Sequence, residues 1–117
     1  MEIMEKITVG ACREETMTVG VHHTAQALGS GSLPVLGTPA MTALMEKAAT
    51  NLAQELLPEG WTSVGTALNI EHLAATPVGA AVRAMATVEA LDGRRVSYKV
   101  EAFDDAGPIG RGTHDRV

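Results

Sequence analysis

Only one stretch of this chain carries a helical hydrophobic period, and nearly everything after it runs at a period of two. Met41, Leu44, Met45, Ala48, Leu52 and Leu56 form a stripe at helical spacing. Thr38-Pro39 reads as its start, with Thr as N-cap and Pro at the first helical position. Pro58 and Gly60 stop it, so the helix is expected to run to about Leu57. Beyond it, Trp61 to Leu73 reads as a first extended segment. Val82, Ala84, Ala86 and Val88 then alternate with Arg83, Met85, Thr87 and Glu89, the pattern of a half-buried strand. Leu91-Asp92-Gly93-Arg94 supplies a hairpin turn, and Val96, Tyr98, Val100 and Ala102 alternate in their turn. Asp104 to Gly107 is a further turn, with a last strand from Ile109 to Val117. Before the helix, Glu14 to His23 suggests a strand, and the glycines and proline of Gly29 to Pro34 mark a loop.

The order is thus strand, loop, one long helix, then four strands joined by tight turns. One helix cannot cover both faces of such a sheet, but the sheet can curl around it and bury it on one face. That is the hotdog arrangement: an α+β fold with an antiparallel sheet of about five strands wrapped around one long central helix. Its open sheet edge invites a second copy, so a homodimer, or a tetramer built from it, is expected. The 117 residues make one domain, 1–117, large enough for a real core. With one Trp, one Tyr and one Phe but many Ala and Val and 6 Met, that core is expected to be thin and tightly layered. A net charge of -5 with no basic run argues against nucleic acid and anionic membrane as partners. The first residues lack the basic start and apolar run of a signal peptide, and no stretch approaches the roughly 20 apolar residues of a membrane helix. Cys12 has no second cysteine to pair with, which fits a reducing compartment. The expected location is the cytoplasm.

Three side chains could carry chemistry. Glu46 lies at the edge of the helix's apolar stripe, where partial desolvation suits a base or nucleophile; the bland alternative is a solvated carboxylate beside Lys47. His72, near a strand end, can accept and return a proton near neutral pH, or be a structural histidine. Thr38 has a ready role as N-cap, yet it stands where the helix N-terminus could hold a developing oxyanion. Gly65 permits close backbone approach, or marks a bulge. Thr38 and Glu46 are eight residues apart, roughly 12 Å along a regular helix. Either the chain bends near Pro39 or the two act on different atoms of one substrate; Thr42, four residues before Glu46, is the rival hydroxyl. His22-His23 suggests a metal with Glu71 or His114, but adjacent strand residues face opposite ways, so no metal site is expected. Arg83, Arg94, Arg95 and Arg111 are candidates for phosphate contacts.

Gly37-Thr38-Pro39-Ala40, Leu44 to Ala49, Gly65, His72 to Gly79 and the terminal Gly110 to Arg116 together resemble the hotdog thioesterases related to fluoroacetyl-CoA thioesterase. The resemblance implies a homodimeric enzyme that hydrolyses a CoA thioester, with Thr38, Glu46 and His72 as catalytic residues and Gly65 and Arg116 at the substrate. CoA would belong to the substrate, and no separate cofactor is expected. The loop from Gly29 to Gly37 has no aromatic lid residue, so an acyl group broader than or different from fluoroacetyl is expected. Covalent attack by Glu46 and base-assisted hydrolysis remain open, as does a carrier protein in place of CoA. The competing reading is a non-catalytic acyl-CoA-binding hotdog acting as a sensor or accessory subunit. A hydratase would want an Asp/His dyad in a long motif that the chain lacks.

Overall fold

The computed structural model describes residues 4–117. Strand β1 (Cys12–Thr18) leads through a 3-10 turn (Val21–His23) and a short helix α1 (Ala25–Leu28) to the long helix α2 (Thr38–Leu56). Four strands follow: β2 (Gly65–His72), β3 (Ala81–Asp92), β4 (Arg95–Asp104) and β5 (Gly107–Arg116). They form one antiparallel sheet in the order β1-β3-β4-β5-β2, so β1 and β2 are its two edges. The hotdog arrangement expected from the order of periods is the one observed.

The core is the contact of α2 with the concave face of the sheet. Met41, Leu44, Met45, Ala48, Ala49 and Leu52 meet Val82, Ala84, Ala86 and Val88 of β3 and Val96, Val100 and Ala102 of β4. The alanines opposite the helix let it lie close, and a Cβ at Gly110 would meet Met41 Sδ at 2.5 Å. On β1, Arg13 is ion-paired to Glu55 of α2, and Lys47 stands 4.0 Å from Glu15, which ties that edge strand to the helix.

Two local expectations change. The segment expected as one strand to His23 ends at Thr18, and His22 and His23 lie in the 3-10 turn, with His23 Nδ1 accepting from the Gly20 N–H. Trp61 to Val64 is not strand and β2 starts at Gly65; Gln54 of α2 donates to the Trp61 carbonyl at 2.6 Å and accepts from the Thr62 hydroxyl at 3.0 Å, which holds this stretch to the helix. A further difference bears on the site. The N-cap of α2 is Gly37, so Thr38 and Pro39 occupy the first helical turn, and the Thr38 hydroxyl is free for another partner.

Candidate active site

Thr38 Oγ1 lies 2.8 Å from His72 Nδ1, bringing the start of α2 to the end of β2. His72 is held there by pairing with Gly110 of β5. A hydroxyl in contact with an imidazole is the arrangement that activates an oxygen or relays a proton. His72 is half-buried, and its desolvation lowers its pKa below the ordinary 6.5, partly offset by a hydrogen bond to the backbone of Ala74. Desolvation thus favours the neutral ring over the charged one. Thr42, the rival hydroxyl, donates back to the Pro39 carbonyl at 3.0 Å instead. Thr38 and His72 open onto a surface groove of about 490 Å³ that also touches Ser30, Leu33, Leu73 and Ala75.

The helix start offers fewer backbone donors than its position suggested. Pro39 has no N–H, and Ala40 and Met41 both donate to the Gly37 carbonyl at 3.1 Å. Of the first turn, the Thr38 N–H is the one without a backbone acceptor among the described residues.

Glu46 is not joined to Thr38 and His72 within the protomer. Helix α2 runs without a break from Thr38, so the expected separation along its axis stands. Glu46 faces the other end of β2: a Cβ at Gly65 would meet Glu46 Oε2 at 3.2 Å, His114 Cε1 at 3.1 Å and Arg116 Nη1 at 3.4 Å. Glycine is what allows β2 to pass over these three groups. A register shift between Gly65 and Ala67 marks the irregularity there.

The sequence suggests His114 only as a metal partner, and its place in the structure is different. Its Nδ1 lies 2.8 Å from the Ala67 carbonyl, which can only accept, so Nδ1 carries the proton. Nε2 then accepts from Arg116 Nη1 at 3.2 Å, and the contact to Glu46 Oε2 at 3.9 Å is not an ion pair. Arg116, itself buried, also donates to the Ser63 hydroxyl at 2.9 Å and the Ser63 carbonyl at 3.1 Å. The signal for His114 was its position two residues before Arg116, which puts both on one face of β5. Among the described residues no cluster of His, Cys, Asp and Glu could hold a metal ion. Of the four candidate phosphate ligands, Arg83, Arg95 and Arg111 face the carboxylates of Glu14, Asp115 and Glu71, while Arg94 stacks over Trp61.

Comparison with known proteins bears on this geometry. Residues 13–117 match the model of the FlK family, fluoroacetyl-CoA-specific thioesterases. A fluoroacetyl-CoA thioesterase of Streptantibioticus cattleyicolor is 42% identical over 83 residues, 71% of this chain and 60% of that protein. The matched stretch is thus less than two thirds of that relative's length. A crystal structure of a fluoroacetyl-CoA-specific thioesterase mutant with fluoroacetate and CoA superposes with a TM-score of 0.89 at 34% identity, covering 95% of this chain and 94% of the other. A hot-dog-like protein from Thermanaerovibrio acidaminovorans gives 0.90 at 31% identity, covering 100% and 87%.

Proposed function

Because the chain belongs to the fluoroacetyl-CoA-specific thioesterase family, we propose that it is an acyl-CoA thioesterase that hydrolyses a small or medium acyl thioester to the free acid and CoA. The observation that carries this reading is the 2.8 Å contact of Thr38 with His72 at the mouth of a groove. Two half-sites, Thr38 with His72 and Glu46 with Gly65, lie at opposite ends of β2, and the strand's outer edge is unpaired among the described residues. β2 is eight residues long. If it pairs antiparallel with its own copy about a two-fold axis between Leu68 and Asn69, His72 comes opposite Gly65 of the partner subunit. Glu46 of the partner subunit then completes the site, which removes the difficulty of the helix length. This supports the homodimer as the working unit.

In the proposed reaction the thioester carbonyl is polarised at the Thr38 N–H. In the covalent version Glu46 of the partner subunit attacks the carbonyl carbon and the C–S bond breaks to release the CoA thiolate; His72 then takes a proton from a water that splits the resulting anhydride into free acid and the Glu46 carboxylate, and passes that proton to the thiolate. In the other version Glu46 of the partner subunit takes the proton of the water that attacks the carbonyl carbon, and the proton reaches the CoA sulfur through His72 as the C–S bond breaks; in both, Thr38 positions the reacting group. The subunit's own Gly65 and Arg116 serve the opposite site of the dimer. No cofactor beyond the CoA of the substrate enters. We place the enzyme in the cytoplasm, a reading supported by the lone Cys12 and by the absence, among the described residues, of a helix long and apolar enough to cross a membrane.

The test is thiol release from a panel of short, medium and aryl acyl-CoAs, wild type beside Glu46→Gln and His72→Ala. Loss of turnover by roughly a hundredfold or more in both variants is expected. Glu46→Gln with full turnover would sink the assignment. No turnover on any substrate, together with thermal stabilisation by acyl-CoA, would establish a binding module instead.

A further inference from the structure

The contact of Thr38 with His72 joins two segments that no strand pairing connects, since Thr38 opens α2 and β2 pairs only with β5 among the described residues. A seam just outside the two residues holds the segments together. The Leu36 N–H donates to the Thr76 carbonyl at 2.8 Å, and Val35 and Pro77 form an isolated antiparallel bridge. Thr76 is 0% exposed, on the loop that carries the chain from His72 of β2 towards β3. Its hydroxyl donates to Asp104 Oδ2 at 2.8 Å, and Asp104 Oδ1 accepts from the Ala106 N–H at 2.9 Å. Asp104 ends β4 at its hairpin with β5, where it pairs with Gly107. The β5 side of that hairpin also holds the start of the loop: the Ile109 carbonyl accepts from the N–H groups of Leu73 at 2.7 Å and Ala74 at 3.4 Å. The hairpin of β4 and β5 therefore grips the loop at both ends, and Thr76 passes that hold to Leu36, two residues before Thr38. A valine would fill the Thr76 site with no polar group to satisfy, whereas a buried hydroxyl is costly without a partner.

We propose that Thr76 and Asp104 are positioning residues of the reaction: their hydrogen bond sets the distance and angle between the Thr38 hydroxyl and the His72 ring. This role rests on the thioesterase reading above, because it acts through Thr38 and His72. Neither Thr76 nor Asp104 lines the groove, so neither meets the substrate. A proton passes well only along a short, aligned contact, and a misplacement of about 1 Å can cost roughly a hundredfold in rate. Without the Thr76 hydroxyl the loop keeps only its backbone ties, and the strain falls on the seam with Leu36 and on the contact beyond it. Substrate binding depends on the groove wall and not on that angle. The loss therefore belongs to kcat and not to KM.

Thiol release is measured on the best acyl-CoA of the panel for the full-length wild type, Thr76→Val, Thr76→Ser and Asp104→Ala, and melting temperatures establish that each variant is folded. Thr76→Val and Asp104→Ala should lower kcat at least about tenfold and move KM less than about threefold, and Thr76→Ser should recover most of the loss. Added to Thr38→Ala, which has already lost the contact, Thr76→Val should lower kcat by less than about a further twofold. In NMR spectra of the imidazole nitrogens, Thr76→Val should displace the His72 signals and leave those of His114 in place. Several outcomes would overturn the proposal: a kcat within about twofold of wild type in both Thr76→Val and Asp104→Ala, a rise in KM that matches the fall in kcat, Thr76→Ser no better than Thr76→Val, an undiminished further loss on Thr38→Ala, or His72 signals that do not move. Should Thr76→Val not fold, Asp104→Ala carries the same measurements, because Asp104 is only half-buried. The NMR signals are read without turnover. A wild type with no thioesterase activity whose His72 signals still move in Thr76→Val would sink the thioesterase reading and not the tie between Thr76 and the site, so the two failures are distinguishable.

Discussion

His72 and Gly65 show how single residues at opposite ends of β2 meet different demands. Desolvation holds the His72 pKa below 6.5, so the native state binds this proton more weakly than the unfolded chain. Its contribution to stability is whole above about pH 6.5 and is lost as the pH falls through the lowered native value. His23, lowered by its own burial and by His22, acts with the same sign. The melting temperature is therefore expected to fall between pH 7 and 5, and less steeply in His72→Gln. The acid limb of kcat/KM, measured on the best acyl-CoA, should lie below pH 6.5; a limb above 7 would contradict a neutral base. Gly65 is constrained by space and not by backbone angle, since a Cβ would press on Glu46, His114 and Arg116 together at 3.1 to 3.4 Å. Gly65→Ala should lower kcat by roughly ten- to a hundredfold, the effect of displacing a reacting group by a fraction of an ångström or more. It should shift the melting temperature by only a few degrees, because this end of β2 lies at the surface.

At the scale of the element, β5 does the most to build the site, since it pairs with both β4 and β2 and carries His114 and Arg116. Gly112 sits in the middle of it, opposite Ile70 on β2 and Val100 on β4. A Cβ there would run into the carbonyl oxygen of Asn69 and lie 2.8 Å from Ile70 Cδ1. Backbone cannot give way as a side-chain end can, so Gly112→Ala must push β2 off β5. Overpacking of this kind costs about 1–3 kcal/mol, read as a fall of roughly 5–15 °C in melting temperature. Protection of the β2 amides from hydrogen exchange should fall first; unchanged protection would show that the strand shifts as a unit with β5. Helix α2 was readable in advance almost to its last residue, because a 3.6-residue stripe bounded by Pro and Gly has one solution. The N-cap is Gly37, one position before Thr38, and the Thr38 hydroxyl goes instead to His72 at the end of β2, a partner 34 residues away that no local pattern reveals.

At the scale of the molecule the two edges of the sheet are unlike. β1 carries Arg13, Glu14 and Glu15 and is clamped to α2, which protects it from pairing. β2 has no charge from Gly65 to Ile70, and Leu68 is exposed on it. Leu68→Lys is expected to give a monomer in sedimentation, with turnover down by about a hundredfold as the two half-sites separate. A dimer that survives the substitution would move the interface elsewhere. By itself the sequence determined the long helix, the four strands after it and the sheet wrapped around the helix, which follow from local periods and turn residues, properties of neighbours along the chain. It also singled out Thr38, Glu46 and His72, each with a bland alternative beside it, and the family resemblance is what points to them as catalytic. The tertiary structure decided which of them meet. It joined Thr38 to His72 across 34 residues, set Glu46 against Gly65 instead, and brought in His114 from β5. Those contacts depend on strand order and register, where a shift of one residue turns every side chain to the other face. No local pattern in the chain specifies that order.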